Sequence, residues 1–398
     1  MPPDATLVKA PAMPAHRMPV NAKAPKQTST RSKWLLLGAA LLTVPALVAI
    51  AEIAVRLSGK HIDPLSIFVT SPQLRSDTQG AMTGGMFEFD PLLCWRLKAG
   101  LRGIWWDFTP VTTNAQHLRM DRDIGVKNGV RILVLGDSVT FGYRVPVARD
   151  RQQPAQFDAT EKPYPALLEA ALREKFPGRE IEALPLACPG YTSGQGLAWL
   201  KRDIAKLKPD IVLACFGWND VRAAGLPDSA TMPSSGAQVF VRGLISHSQL
   251  LLNIAESAQR HAPVATAQPG PEPRSSEEEY VAHFLEMETV SRGHGAWFGI
   301  LLPVYRDPNT AGIDPDHRDD PGDPAEGLRM TRYRSKLRDV ALAKKVPVLE
   351  IAELTERSWP ENKPLFGERI HPNAAGHRLI AERLAAFLSE SVARLKSK

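Results

Sequence analysis

The chain has 398 residues, 43% hydrophobic and 23% charged, enough apolar sequence for one large or two ordinary globular domains and too much for a wholly disordered chain. The formal charge of +6 does not point to nucleic acid. Lys9, Arg17, Lys23, Lys26, Arg31 and Lys33 face only Asp4 at the start of the chain, and the remainder is close to neutral.

Residues 1–33, rich in Pro, Ala and Lys, read as a disordered basic cytoplasmic tail. Trp34 to Ala51, "WLLLGAALLTVPALVAIA", carries no charge and just reaches membrane-spanning length. With the apolar residues up to Leu57, it predicts a transmembrane anchor over 34–57. Basic residues before the span and few after it place the N-terminus in the cytoplasm and the rest outside the inner membrane. A cleaved signal peptide ending at Ala49-Ile50-Ala51 is the rival. The 33-residue leader is long for a signal, which favours an uncleaved anchor.

Residues 60–128, with "FEFDPLLCWRLKAG", read as a small, partly β-structured extension packed on the main domain, which covers 129–396. There strands and helices alternate. Apolar runs at Ile132–Leu135, Ile181–Leu186, Ile211–Phe216, Phe298–Leu302 and Val346–Ile351 predict five strands. Between and after them, helical periodicity marks Tyr164 to Phe176, Leu197 to Leu207, residues 275–292, residues 328–344 and Leu379 to Leu388. This is the rhythm of right-handed βαβ units and a parallel sheet covered on both sides. Residues 221–274, with one predicted helix at Gln249–Gln259, and residues 304–327 break the rhythm and read as loops. Cys94, Cys188 and Cys215 are too few for a disulfide framework.

Ligands of open parallel sheets bind beyond the carboxyl ends of the strands. There the first strand delivers "GDSVTFG", the second "LACPGYTSG" and the third "FGWND", while "FGERIHPNAAGH" precedes the last helix. A serine hydroxyl needs a base to take its proton, and imidazole titrates in the right range. Ser138 and His371 are therefore the candidate nucleophile and base, with Glu368, three residues before His371, the candidate carboxylate. The backbone N–H groups of Ser138 and Gly190 and the amide of Asn219 are candidate oxyanion donors. Singly, each has a plainer reading: Ser138 as a helix cap, Gly190 as a turn, Asn219-Asp220 as an Asx turn, Asn373 as the cap of the last helix. Jointly, four coincidences at four junctions favour chemistry.

The blocks "LGDSVTFG", "CPGYTSGQ", "GWND" and "ERIHPNAAGH" resemble those of the SGNH (GDSL-like) hydrolases over roughly residues 130–390. "TTNAQHLR" is similar to a segment upstream of this domain in membrane-anchored bacterial members. The resemblance implies a three-layer α/β/α, flavodoxin-like fold with a parallel five-stranded sheet, and serine esterase or lipase chemistry without a cofactor. It implies Ser138 as nucleophile, His371 as base and Ser138, Gly190 and Asn219 as the oxyanion hole. The family usually has Asp where this chain has Glu368, whose extra methylene still permits a bond to the imidazole. Asp137 is expected to fix the turn.

The expected partners are an acylated small molecule, lipid or polysaccharide, and the membrane through the N-terminal helix, with no nucleic acid. Acyl transfer to an envelope polysaccharide and a non-catalytic glycan-binding scaffold are the alternatives. The acidic run Asp314 to Asp320 lacks calcium-loop spacing and reads as a solvated loop. Trp105-Trp106 either line an acyl or sugar pocket or pack the extension on the core.

Overall fold

The computed structural model describes residues 30–69, 85–147, 157–261, 270–304, 324–355, 361, 363–367 and 370–395. The expected tail at 1–29, the acidic run Asp314 to Asp320, and Glu368 all lie outside them. The chain divides into two compact units between Gly59 and Lys60.

The first unit contains helix α1 (Thr30–Leu57), which carries Pro45 in its interior and exposes Leu41, Leu42, Val44, Leu47, Val48, Ile50 and Ile53. The side chains of residues 30–33, 35–38 and 40 lie outside the described ones. Among the described residues, no helix is long and apolar enough to cross a membrane.

The second unit opens with a short helix, α2 (Pro64–Phe68), and two hairpins: β1 (Phe87–Asp90) with β2 (Cys94–Leu97), and β3 (Ile104–Trp106) with β4 (Thr109–Val111). The central strand β5 (Val130–Gly136) is buried at every position, as expected of a strand covered on both faces. After it come α3 (Ser138–Phe141), α4 (Tyr164–Lys175), β6 (Ile181–Ala187), α5 (Ser193–Leu207) and β7 (Ile211–Cys215). A Thr192–Gln195 capping box starts α5. Strands β5, β6 and β7 pair in parallel with β10 (Trp297–Leu301) and β11 (Val348–Leu349) in the order β11-β10-β7-β5-β6. This is the flavodoxin-like order, whose connections leave β5 in opposite directions and open a crevice between the carboxyl ends of β5 and β7.

Alternate side chains of each strand enter opposite cores. Leu133, Leu135, Leu184, Leu186, Val212 and Ala214 pack on one face with α5 and with α10 (Glu277–Gly293) and α11 (Pro324–Ala343). Ile132, Val134, Ile181, Ala183, Ile211 and Leu213 pack on the other with α4 and α12 (Ala374–Arg394). Phe87, Leu93, Trp95, Leu97 and Leu118 of the extension join the first core.

Two expectations need correction. The fifth strand is only Val348–Leu349, because this edge strand pairs with β10 at two positions alone. Residues 221–274 are not a loop with one helix. Val221 ends α6 (Trp218–Val221), and the segment then holds β8 (Ala223–Gly225), α7 (Asp228–Thr231), α8 (Gly236–His247), α9 (Gln249–His261) and β9 (Gly270–Pro273). Helix α8 buries no residue, so no core-facing stripe marks it in the sequence.

Candidate active site

The serine turn is built by steric necessity. A Cβ at Gly136 would stand 1.8 Å from Thr140 Oγ1, so only glycine lets the helix fold back on the end of β5. Asp137, not Ser138, caps α3: its Oδ1 accepts the Val139 N–H at 2.9 Å. Ser138 is thus the first helical residue and keeps its hydroxyl for other partners. Gly142 ends α3 in the left-handed region at φ 85°. Ser138 Oγ lies 2.7 Å from His371 Nε2, the reach a nucleophile and its base require. For Nε2 to take the serine proton, the ring's own proton must sit on Nδ1.

His371 is carried just before α12. Phe366 and Pro372 form a β-bridge, Gly367 N donates to His371 O at 3.0 Å, and Asn373 N donates to Leu365 O at 3.0 Å. The Asn373 side chain caps α12 by accepting from Ala375 N and Gly376 N, and donates to Pro364 O at 2.9 Å. The Tyr143 ring lies against the imidazole, centroids 4.3 Å apart. The Tyr143 hydroxyl donates to Asp107 of the extension, which also accepts from Arg144 Nε at 3.1 Å.

The candidate oxyanion donors converge on the same turn. Cys188 N donates to Gly136 O at 3.3 Å, joining the chain after β6 to the end of β5. Gly190 sits at φ 83°. Asn219, on α6, donates from Nδ2 to Tyr191 O at 3.1 Å and to Asp137 Oδ2 at 3.5 Å. These contacts bring the residues flanking Ser138 and Gly190 together around one amide. Among the described residues, neither the Ser138 nor the Gly190 N–H meets an acceptor. Burial pushes the Asp137 carboxyl up to about 6, against the opposing pull of the Val139 N–H and the His371 charge.

Several residues outside the candidate triad and oxyanion hole support the site. Arg119, in the "TTNAQHLR" segment, donates to Phe141 O at 2.9 Å, Gly142 O at 2.6 Å and Val145 O at 2.7 Å, gripping the loop after Ser138. Burial lowers its pKa to about 9. Next to Asn219, the buried Asp220 accepts from Ser193 N, Ser193 Oγ at 2.5 Å and Ser275 Oγ at 2.8 Å. Burial raises it to about 7. Trp106 makes edge contacts with Phe87, Phe141 and Tyr143, tying the extension to the serine helix. The three cysteines are buried and free.

The model of the GDSL-like lipase/acylhydrolase family matches residues 134–379, more than half of the chain. An arylesterase of Vibrio mimicus is 36% identical over 90 residues, 23% of this chain and 38% of that relative's length. Among solved structures, an alpha/beta hydrolase from the metagenome of Lake Arreo, Spain, is 23% identical with a TM-score of 0.41, covering 66% of this chain and 97% of its own. The acetylxylan esterase Axe2 of Geobacillus stearothermophilus is 17% identical with a TM-score of 0.39, covering 66% and 94%. By the extent of the family match, this chain belongs to the GDSL-like lipase/acylhydrolase family.

Proposed function

We propose that this chain is a membrane-anchored carboxylic-ester hydrolase that works through an acyl-serine at Ser138. The observation that carries the reading is the 2.7 Å contact between Ser138 Oγ and His371 Nε2 at the carboxyl end of β5. As Oγ attacks the ester carbonyl, its proton passes to Nε2 and the carbonyl oxygen becomes an oxyanion. Among the described residues, the N–H groups of Ser138 and Gly190 meet no acceptor, which leaves them to receive that charge. The Asn219 amide joins them by releasing its long contact to Asp137, which is weaker than the one to Tyr191. Collapse breaks the ester C–O bond, and the Nε2 proton goes to the leaving alkoxide. Water then gives a proton to Nε2, attacks the acyl carbon, and the acid leaves as Ser138 recovers its proton. Glu368 is the proposed third member, accepting from Nδ1 and stabilising the imidazolium.

The basic leader and the apolar run from Trp34 support an inner-membrane anchor with the second unit outside the cytoplasm. That location favours envelope esters: acetyl groups on polysaccharide, or lipid acyl esters. The Vibrio mimicus arylesterase supports adding aryl esters to any substrate panel.

The test is fluorophosphonate labelling of the full-length chain, followed by hydrolysis of acetyl, long-acyl, aryl and sugar-acetate esters. Wild type should label and Ser138→Ala should not. Equal labelling overturns the enzyme reading and leaves a glycan-binding scaffold. Product appearing only when a sugar acceptor is supplied means acyl transfer. Glu368→Gln should cut turnover at least about tenfold while labelling persists; unchanged turnover assigns the orientation of His371 to another group.

A further inference from the structure

Three successive carbonyls beside the candidate oxyanion hole are each held by a side chain from a different part of the molecule. Pro189 O accepts from Trp95 Nε1 of the extension at 3.1 Å. Gly190 O accepts from Arg274 Nη1, directly after β9, at 2.6 Å. Tyr191 O accepts from Asn219 Nδ2 at 3.1 Å. Trp95 is itself buried and fixed, because Tyr191 donates its hydroxyl to Trp95 O and packs edge-on against the indole. Arg274 is fixed by Asp228, through Nε at 2.9 Å, and by Gln195 Oε1 at 2.9 Å.

Peptide planarity gives the first of these bonds a particular consequence. The Gly190 N–H shares its peptide plane with the Pro189 carbonyl, and in a trans peptide the two point in opposite directions. Whatever holds Pro189 O therefore sets the direction of the Gly190 N–H. Glycine in the left-handed region has the widest freedom of any residue, so without such a hold this amide plane is the one most free to turn. The Gly190 N–H itself meets no acceptor among the described residues, as a donor kept for a ligand should.

We propose that Trp95 is a positioning residue whose indole N–H aims the Gly190 amide at the oxyanion, with Arg274 fixing the following peptide plane. The proposal rests on the reading of Gly190 as an oxyanion donor. It assigns the extension a part in turnover: its second strand, β2, holds one wall of the site in register. The hold costs no reorganisation during reaction, and its benefit falls on the tetrahedral state, where charge develops, rather than on the bound ester.

The experiment replaces Trp95 in the full-length chain by phenylalanine and, separately, by benzothienylalanine, which keeps the indole shape and lacks the N–H. For the best ester of the panel, both should lower kcat about 10- to 100-fold with KM within about twofold, since removing a whole oxyanion donor costs about 100- to 1,000-fold. Binding of an alkylboronic acid, which forms an anionic tetrahedral adduct on serine, should weaken in parallel. Gln249→Met on α9, which removes two buried hydrogen bonds to Ile62, is the control for a structural loss and should leave kcat unchanged. Unchanged kcat in the benzothienylalanine protein, a rise in KM alone, or an equal fall in the Gln249→Met control overturns the proposal. A wild type that neither labels nor hydrolyses any ester instead overturns the reading beneath it.

Discussion

The turn that carries Ser138 and the turn that carries His371 are built by different means. The serine turn leaves a fully buried central strand and is fixed over long sequence distances. Gly136 meets Thr140 too closely for any side chain, and Arg119 grips three carbonyls at and just beyond the end of α3. The histidine turn is fixed locally: Leu365, Phe366 and Gly367 bond to His371, Pro372 and Asn373, and Asn373 starts α12. The nucleophile thus belongs to the global fold, while its base hangs on a short strap. Damage to the first should unfold the protein, and damage to the second should mainly detune it.

The strongest test of that contrast is Arg119→Met. The substitution keeps most of the side-chain volume, leaves the Phe141 and Val145 carbonyls without their donor, and leaves the Gly142 carbonyl only the Val145 N–H. Buried acceptors left unsatisfied cost about 1–3 kcal/mol each, so a loss of about 3–5 kcal/mol in urea unfolding is expected. A loss below about 1 kcal/mol would mean that water replaces the guanidinium and that the serine turn stands without the extension.

A second test uses the Asp137 carboxyl, which burial raises to about 6. In the unfolded chain it titrates near the ordinary value of 3.8. Between these values the folded protein holds a proton that the unfolded chain has released. Its contribution to stability is therefore fully present below about 3.8 and is lost as pH rises through about 6. Asp137→Asn keeps an oxygen for the Val139 N–H and removes the titration. Wild-type stability should fall between pH 4 and 6 by about 1–3 kcal/mol relative to the variant, read from urea midpoints across that range. Parallel pH profiles would place the proton elsewhere.

The sheet was readable because each strand's apolar run is a local signal, and three of the four blocks fell at strand ends where chemistry collects, the fourth just before the last helix. Asp137 as the fixer of the turn and Asn373 as a cap were readable for the same reason: capping acts within three residues. Arg119, Trp95 and Arg274 were not, because their acceptors lie 22, 94 and 84 residues away and only the folded chain brings them together. The tip of the β3–β4 hairpin was hidden too. Asp107 and Phe108 both have positive φ, 39° and 65°, a conformation that Asn-Gly advertises and Asp-Phe does not. Helix α8 exposes Phe240, Val241 and Leu244, the reverse of the pattern by which surface helices are found.

The smallest expected effect probes the strap itself. The Asn373 side chain does two things: it caps α12 through Ala375 N and Gly376 N, and it ties the preceding turn through Pro364 O. Asn373→Ala removes both and should cost about 1 kcal/mol, the usual worth of a cap. Asn373→Ser keeps a good cap, adds no charge beside His371, and is too short to reach Pro364 O. It should restore stability to within a few tenths of a kcal/mol while kcat stays a few-fold below wild type, because the tie and not the cap holds the His371 turn against Ser138. Recovery of both stability and kcat in the serine variant would show that capping α12 alone positions the base. A loss in Asn373→Ala as large as in Arg119→Met would erase the difference between the two turns, since the strap would then be as much a part of the global fold as the strand that carries the nucleophile.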